Sequence, residues 1–105
     1  MNEYILLMST APSEEEAEKL GKEMVKKGLI ACVNIFPKIR SIYKWKGKIC
    51  DEEEALLIMK SRKERFEEIV EYINHHHSYD VPEIVSLHIS SGSKRYLEWI
   101  DEICG

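Results

Sequence analysis

LIACVNIFPKIRSIYKWKGKICDEEEALLIMKS, residues 29–61, is the stretch whose reading decides the fold. Its first arm is rich in β-branched and aromatic residues (Ile30, Val33, Ile35, Phe36, Ile39, Ile42, Tyr43, Trp45). Its second runs from Lys48 into Ala55-Leu56-Leu57-Ile58-Met59, and Lys46-Gly47 lies between them. Two such runs around a glycine-containing turn predict a β-hairpin. The arms are long: Ile30 to Trp45 spans about 50 Å when extended, whereas a domain of this size is about 35 Å across. The tip is therefore expected to protrude. Pro37 cannot donate a ladder hydrogen bond, so a bend or bulge is expected at Phe36-Pro37. Beyond it, Ile39–Trp45 and Lys48–Glu54 form a ribbon with little core of its own, and an isolated ribbon is marginal in water. Pairing with sister copies in a closed ring satisfies such edges. The alternative is a ribbon that curls back over its own sheet.

Outward from the hairpin, Glu3–Ser9 is a short apolar run suited to a central strand, and Thr10-Ala11-Pro12 reads as a turn. Ser13 opens a capping box with Glu16, followed by the helical stripe Ala17, Leu20, Gly21, Met24, Val25 and a stop at Gly28. After the hairpin, Ser61–Glu64 repeats the capping-box spacing ahead of Phe66, Ile69, Val70 and Ile73. A loop from Tyr79 to Pro82 leads to a strand over Glu83–Ser90. Ser93 then caps a last helix carrying Tyr96, Leu97, Ile100 and Ile103. The order β-α-β-β-α-β plus a C-terminal helix predicts an α+β, ferredoxin-like split βαβ sandwich spanning residues 1–105. Helices cover one sheet face, and the other face wants a partner.

The 105 residues carry a net charge of −4 without a basic cluster, which argues against a nucleic-acid surface. No apolar run reaches membrane-span length and no basic leader precedes the first strand, so a cytoplasmic protein is expected. Cys32, Cys50 and Cys104 are scattered singletons, read as free thiols. Sixteen Glu and eleven Lys against three Asn and no Gln is a composition typical of hot habitats.

Chemistry has few places to sit. His75-His76-His77 is the most conspicuous ligand set, since imidazole suits copper and zinc. Successive helical residues point about 100° apart, so the three cannot share one ion within a chain. Capping the last carbonyls of the helix is the competing role. Tyr79-Asp80-Val81-Pro82-Glu83 offers carboxylates beside an aromatic ring at a strand entry; Glu83 pairing with Lys60 or with an N–H of the turn is the structural alternative. Asp51-Glu52-Glu53-Glu54 reads as an edge guard with one member turned inward. There is no G-x-S-x-G, H-E-x-x-H or phosphate-binding glycine loop, so a non-enzymatic role is expected.

Ala31–Ile49, Glu54 with Ile58–Ser61, His77–Ile84 (HSYDVPEI) and Gly92–Ile100 (GSKRYLEWI), in that order, resemble the CutA divalent-cation tolerance family. The resemblance implies a homotrimer whose hairpins reach onto neighbours, cytoplasmic location, and a role in tolerance of Cu(II) or another divalent cation without an organic cofactor. It implies metal ligands at His76 and His77, while Ser9 stands where some members carry cysteine. It also implies a ligand-lining set of Trp45, Glu54, Lys60, Tyr79 and Glu83. A likeness to the PII signalling trimer makes a small-ligand signalling or scaffold module, acting through inter-subunit clefts, the alternative function.

Overall fold

The computed structural model describes residues 2–105. In chain order the elements are β1 (Tyr4–Ala11), α1 (Glu14–Lys26), β2 (Cys32–Trp45), β3 (Lys48–Arg62), α2 (Phe66–His76), β4 (Val85–His88) and α3 (Lys94–Cys104). The four strands make one antiparallel sheet of order β2-β3-β1-β4, the arrangement expected of two interleaved crossovers around a hairpin.

The hairpin turns at Lys46 (φ 50°) and Gly47 (φ 78°). Two successive positive φ values match the right-handed twist of the flanking strands. The β2–β3 register shifts between Phe36 and Ile39, the bulge expected at Pro37. β1 pairs with β3 only from Arg62 to Ala55, so the ribbon beyond Glu54 has no third strand. Its protrusion gives the molecule extents of 44 × 25 × 22 Å. On one side of the ribbon Arg40 grips Asp51 with two hydrogen bonds, Nε to Oδ1 at 2.9 Å and Nη2 to Oδ2 at 2.6 Å. The guanidinium holds the Asp51 carboxyl below its ordinary range.

Strand alternation sorts the sheet into two faces. Ile5, Leu7, Leu57 and Met59 meet Ala17, Leu20 and Met24 of α1 and Ile69 and Ile73 of α2 in one buried core. Truncating one of these large side chains to alanine costs about 2–5 kcal/mol. The opposite face presents Leu6, Met8, Leu56, Ile58 and Phe36 with Val85 and Leu87, the last 60% exposed. α3 closes one end, packing Ile100 and Cys104 against Ala31 with Tyr4 and Leu97 alongside.

α1 follows its sequence signals closely. Ser13 Oγ accepts the Glu16 N–H at 3.1 Å, and Glu14–Glu16 supply the acidic first turn. At the far end the Leu29 N–H donates to Met24 O and the Gly28 N–H to Val25 O, both at 3.0 Å. That pairing requires the left-handed φ of +71° at Gly28. Of the three helix pairs spaced i,i+4 with Glu first, Glu15–Lys19, Glu18–Lys22 and Glu23–Lys27, the second closes, at 2.7 Å.

Three sequence expectations are corrected. Ser61 does not cap α2: it lies inside β3, fully buried, and its Oγ donates to Leu29 O at 2.6 Å. The chain enters α2 through a 3₁₀ turn at Lys63–Arg65 instead, because pairing with β1 carries β3 to Arg62. β1 likewise continues through Thr10 and Ala11, opposite Leu56 and Ala55. β4 is shorter than expected because its register with β1 runs only from Val85 to His88.

Candidate functional site

Where β1 stops at Ala11, β3 continues with only β2 beside it, and the loop after α2 takes the vacated place. Pairing of Ser41 with Glu52, Tyr43 with Cys50 and Trp45 with Lys48 puts these side chains and Glu54 on one side of the ribbon. Facing them are Ser78, Tyr79, Asp80, Val81 and Glu83. Between loop and ribbon lies a cavity of about 610 Å³, lined also by Thr10, Ile42 and Lys46.

Glu54 is the inward-turned member of the acidic run, 5% exposed. The Tyr79 hydroxyl donates to its Oε2 at 2.7 Å, and the Tyr43 hydroxyl donates to Glu52 Oε1 at 2.8 Å. Burial first, and then the hydrogen bond to Glu54, raise the Tyr79 phenol above its ordinary value. Tyr43 is pushed up to about 12, chiefly by its hydrogen bond to Glu52. Both rings therefore stay protonated donors at neutral pH. Lys46 Nζ lies 5.8 Å from the centre of the Trp45 ring.

Of the expected lining set, Trp45, Glu54, Tyr79 and Glu83 come together here. Lys60 does not: it is six residues along β3 from Glu54, and its Nζ donates to Asn34 Oδ1 at 2.6 Å on the uncovered sheet face. Glu83 thus has no Lys60 contact. Ser9 is buried in β1 with its Oγ unpartnered, on the core side with Leu7. Tyr43 joins the cleft without having been singled out as a site residue, whereas Asp80 arrives with the Tyr79–Glu83 segment already marked in the sequence. The two-residue spacing from Tyr43 to Trp45 was the available signal for the first.

The histidines divide by role. His77 is 8% exposed, and its Nε2–H donates to Thr10 O at 2.7 Å while Nδ1 accepts the Tyr79 N–H at 3.0 Å. Both ring nitrogens are thus engaged within the chain. Glu16 Oε2, which accepts the Ser78 N–H and hydroxyl, lies 3.4 Å from Nδ1. His76 and His75 are exposed, with Nδ1 against the carbonyls of Tyr72 (2.8 Å) and Glu71 (3.1 Å). Those are the carbonyl-capping contacts expected at a helix end. They also leave each Nε2 outward with a lone pair, the tautomer a metal ligand needs. The His76 ring stacks on Tyr72 at 4.0 Å, and the His75 ring lies 6.5 Å from it. Among the described residues no three His, Cys, Asp or Glu side chains converge as a metal centre.

A split βαβ sheet with helices on one face, a bare apolar opposite face and a cleft under a projecting hairpin defines the ferredoxin-like class with an added ribbon. Residues 5–103 match the sequence profile of the CutA1 divalent ion tolerance proteins, and the chain belongs to that family. It is 42% identical to the divalent-cation tolerance protein CutA of Thermus thermophilus over the whole of both chains. It is 45% identical to the chloroplastic CutA of Arabidopsis thaliana over 91% of this chain, but spans only 53% of that longer relative. The solved structure of the periplasmic divalent cation tolerance protein CutA from Archaeoglobus fulgidus superposes with a TM-score of 0.94. That alignment has 42% identity and covers 97% of this chain and 99% of that one.

Proposed function

We propose that the protein serves divalent-cation tolerance as a non-catalytic homotrimer, binding Cu(II) or a similar divalent cation at subunit boundaries. The observation that carries this reading is the outward Nε2 of His76, oriented by the Tyr72 carbonyl and held by ring stacking. One imidazole, even with His75 beside it, is an incomplete coordination sphere, so carboxylates of a neighbouring copy complete the site. The uncovered apolar face and the unpaired ribbon edge supply the reason for assembly. A cytoplasmic setting suits three free thiols, and among the described residues no helix is long and apolar enough to cross a membrane.

The test is calorimetry with CuCl₂ on the full chain, His76→Ala and His77→Ala, beside sedimentation equilibrium. His76→Ala is expected to lose most of the affinity. Equal affinity in wild type and His76→Ala removes the ligand, and a 12.3 kDa monomer removes the trimer. The cleft favours a second reading, a small-ligand signalling module in the manner of the PII proteins.

A further inference from the structure

We infer that the cleft between the ribbon and residues 78–83 binds a small alkylammonium ion. The inference rests on the small-ligand reading and names its ligand class. The cavity, about 610 Å³, has the size of a small-molecule site. Its walls are three aromatic rings (Trp45, Tyr43 and Tyr79), and its carboxylates are Glu54, Asp80 and Glu83. Aromatic faces combined with carboxylates recognise organic cations, because the ring quadrupole and the negative charge attract the same group.

The other ligand classes fit worse. An anion would meet three carboxylates, and Lys46 is the only lysine or arginine in the lining. A neutral apolar guest would strand the buried Glu54 charge without new partners. A carboxylate has about four acceptor positions, and Tyr79 fills one at Glu54 Oε2, leaving acceptors for an N–H donor. A hard divalent cation needs six or more oxygens, and no metal-sized cluster forms among the described residues. The chain supplies its own demonstration of the chemistry: the Lys46 ammonium already lies against the Trp45 ring, 5.8 Å from its centre. An incoming ammonium ion competes with Lys46 for the negative charge and ring faces of this lining, with Glu54 and the rim Glu83 as acceptors for its N–H groups.

The experiment titrates n-butylammonium chloride into the full chain carrying Trp99→Phe, so that Trp45 is the sole indole. Binding is read by fluorescence and calorimetry at low salt, with sodium butyrate and CuCl₂ as parallel arms. Saturable butylammonium binding without butyrate binding is expected. Lys46→Asn, which suits the turn and removes the competing charge, should tighten it about two- to fivefold. Glu54→Gln should weaken it at least about tenfold. Because Glu54 is buried, Glu83→Gln at the exposed rim provides a second weakening variant that leaves the fold undisturbed. Affinity unchanged in both glutamine variants overturns the inference. Butyrate binding as tightly as butylammonium sinks the ammonium assignment but keeps the small-ligand reading; no saturable binding by either sinks both. A copper signal that survives His76→Ala and vanishes in Glu54→Gln assigns the cleft to metal and overturns the inference.

Discussion

His77 and Tyr79, two residues apart, fasten the end of α2, the end of β1 and the ribbon to one another. His77 holds the Thr10 carbonyl, the Tyr79 amide meets the same imidazole, and the Tyr79 hydroxyl reaches Glu54. Tyr79 is expected to leave a pH signature. Its folded-state pKa is raised, so its contribution is complete below the unfolded value near 10 and is lost as pH climbs toward the folded one. Urea unfolding from pH 8 to 11 should show that decline in wild type, and Tyr79→Phe should make it shallower, with Tyr43 and Tyr96, whose pKa values are also raised, keeping the remainder. At pH 7 the same variant should be less stable by about 1–3 kcal/mol, since the buried Glu54 loses its donor. An unchanged alkaline slope would exclude Tyr79 as its source. Little of this network was legible in the sequence. Carboxylate–tyrosine proximity across 25 residues depends on where β1 ends, and the Thr10 carbonyl is backbone, without a residue-type signal. That one member of the acidic run turns inward was legible from the alternation into Ala55; that it is Glu54 was not.

At the scale of elements, local chemistry predicted the boundaries where it had no rival. Ser13, Gly28, Lys46-Gly47 and Ser93 behave as their types dictate, with Ser93 Oγ accepting the Tyr96 N–H at 3.2 Å. Ser61–Glu64 had the same spacing and lost to a competitor, a strand register that runs to Arg62, three residues beyond the apolar block ending at Met59. Gly28 provides the sharpest test. A Cβ there would sit 2.9 Å from the Ile103 carbonyl oxygen, at a φ of +71° that L side chains resist. Gly28→Ala is therefore expected to cost about 1–2 kcal/mol from the backbone alone, and more from the contact with α3. Thermal denaturation should show the loss. A midpoint equal to wild type would mean that the α1–β2 corner and α3 part without cost.

The whole molecule is organised by what its sheet leaves uncovered. Phe36, Val85 and Leu87 are each about half exposed or more, beside Ile42 and Ile49 on the ribbon. That apolar surface is what sister copies would cover, so Leu87→Asp is predicted to lower the sedimenting mass toward the single chain while far-UV circular dichroism stays native. Retention of the full assembled mass would place the contact elsewhere. The length of the hairpin and the bulge at Pro37 were readable from residue types alone, as was the order of elements. Which residues converge beneath the hairpin was not, because Lys60 and Glu54 share a strand face yet lie six residues apart.

The central pairing of β1 with β3 joins Tyr4 to Arg62. A strand made at the start of synthesis must therefore wait for some fifty further residues before its neighbour exists, roughly 3–10 s at ribosomal speed. Throughout that interval YILLMSTA is a bare apolar segment. Its shelter in the emerging chain has to come from α1 or from a chaperone.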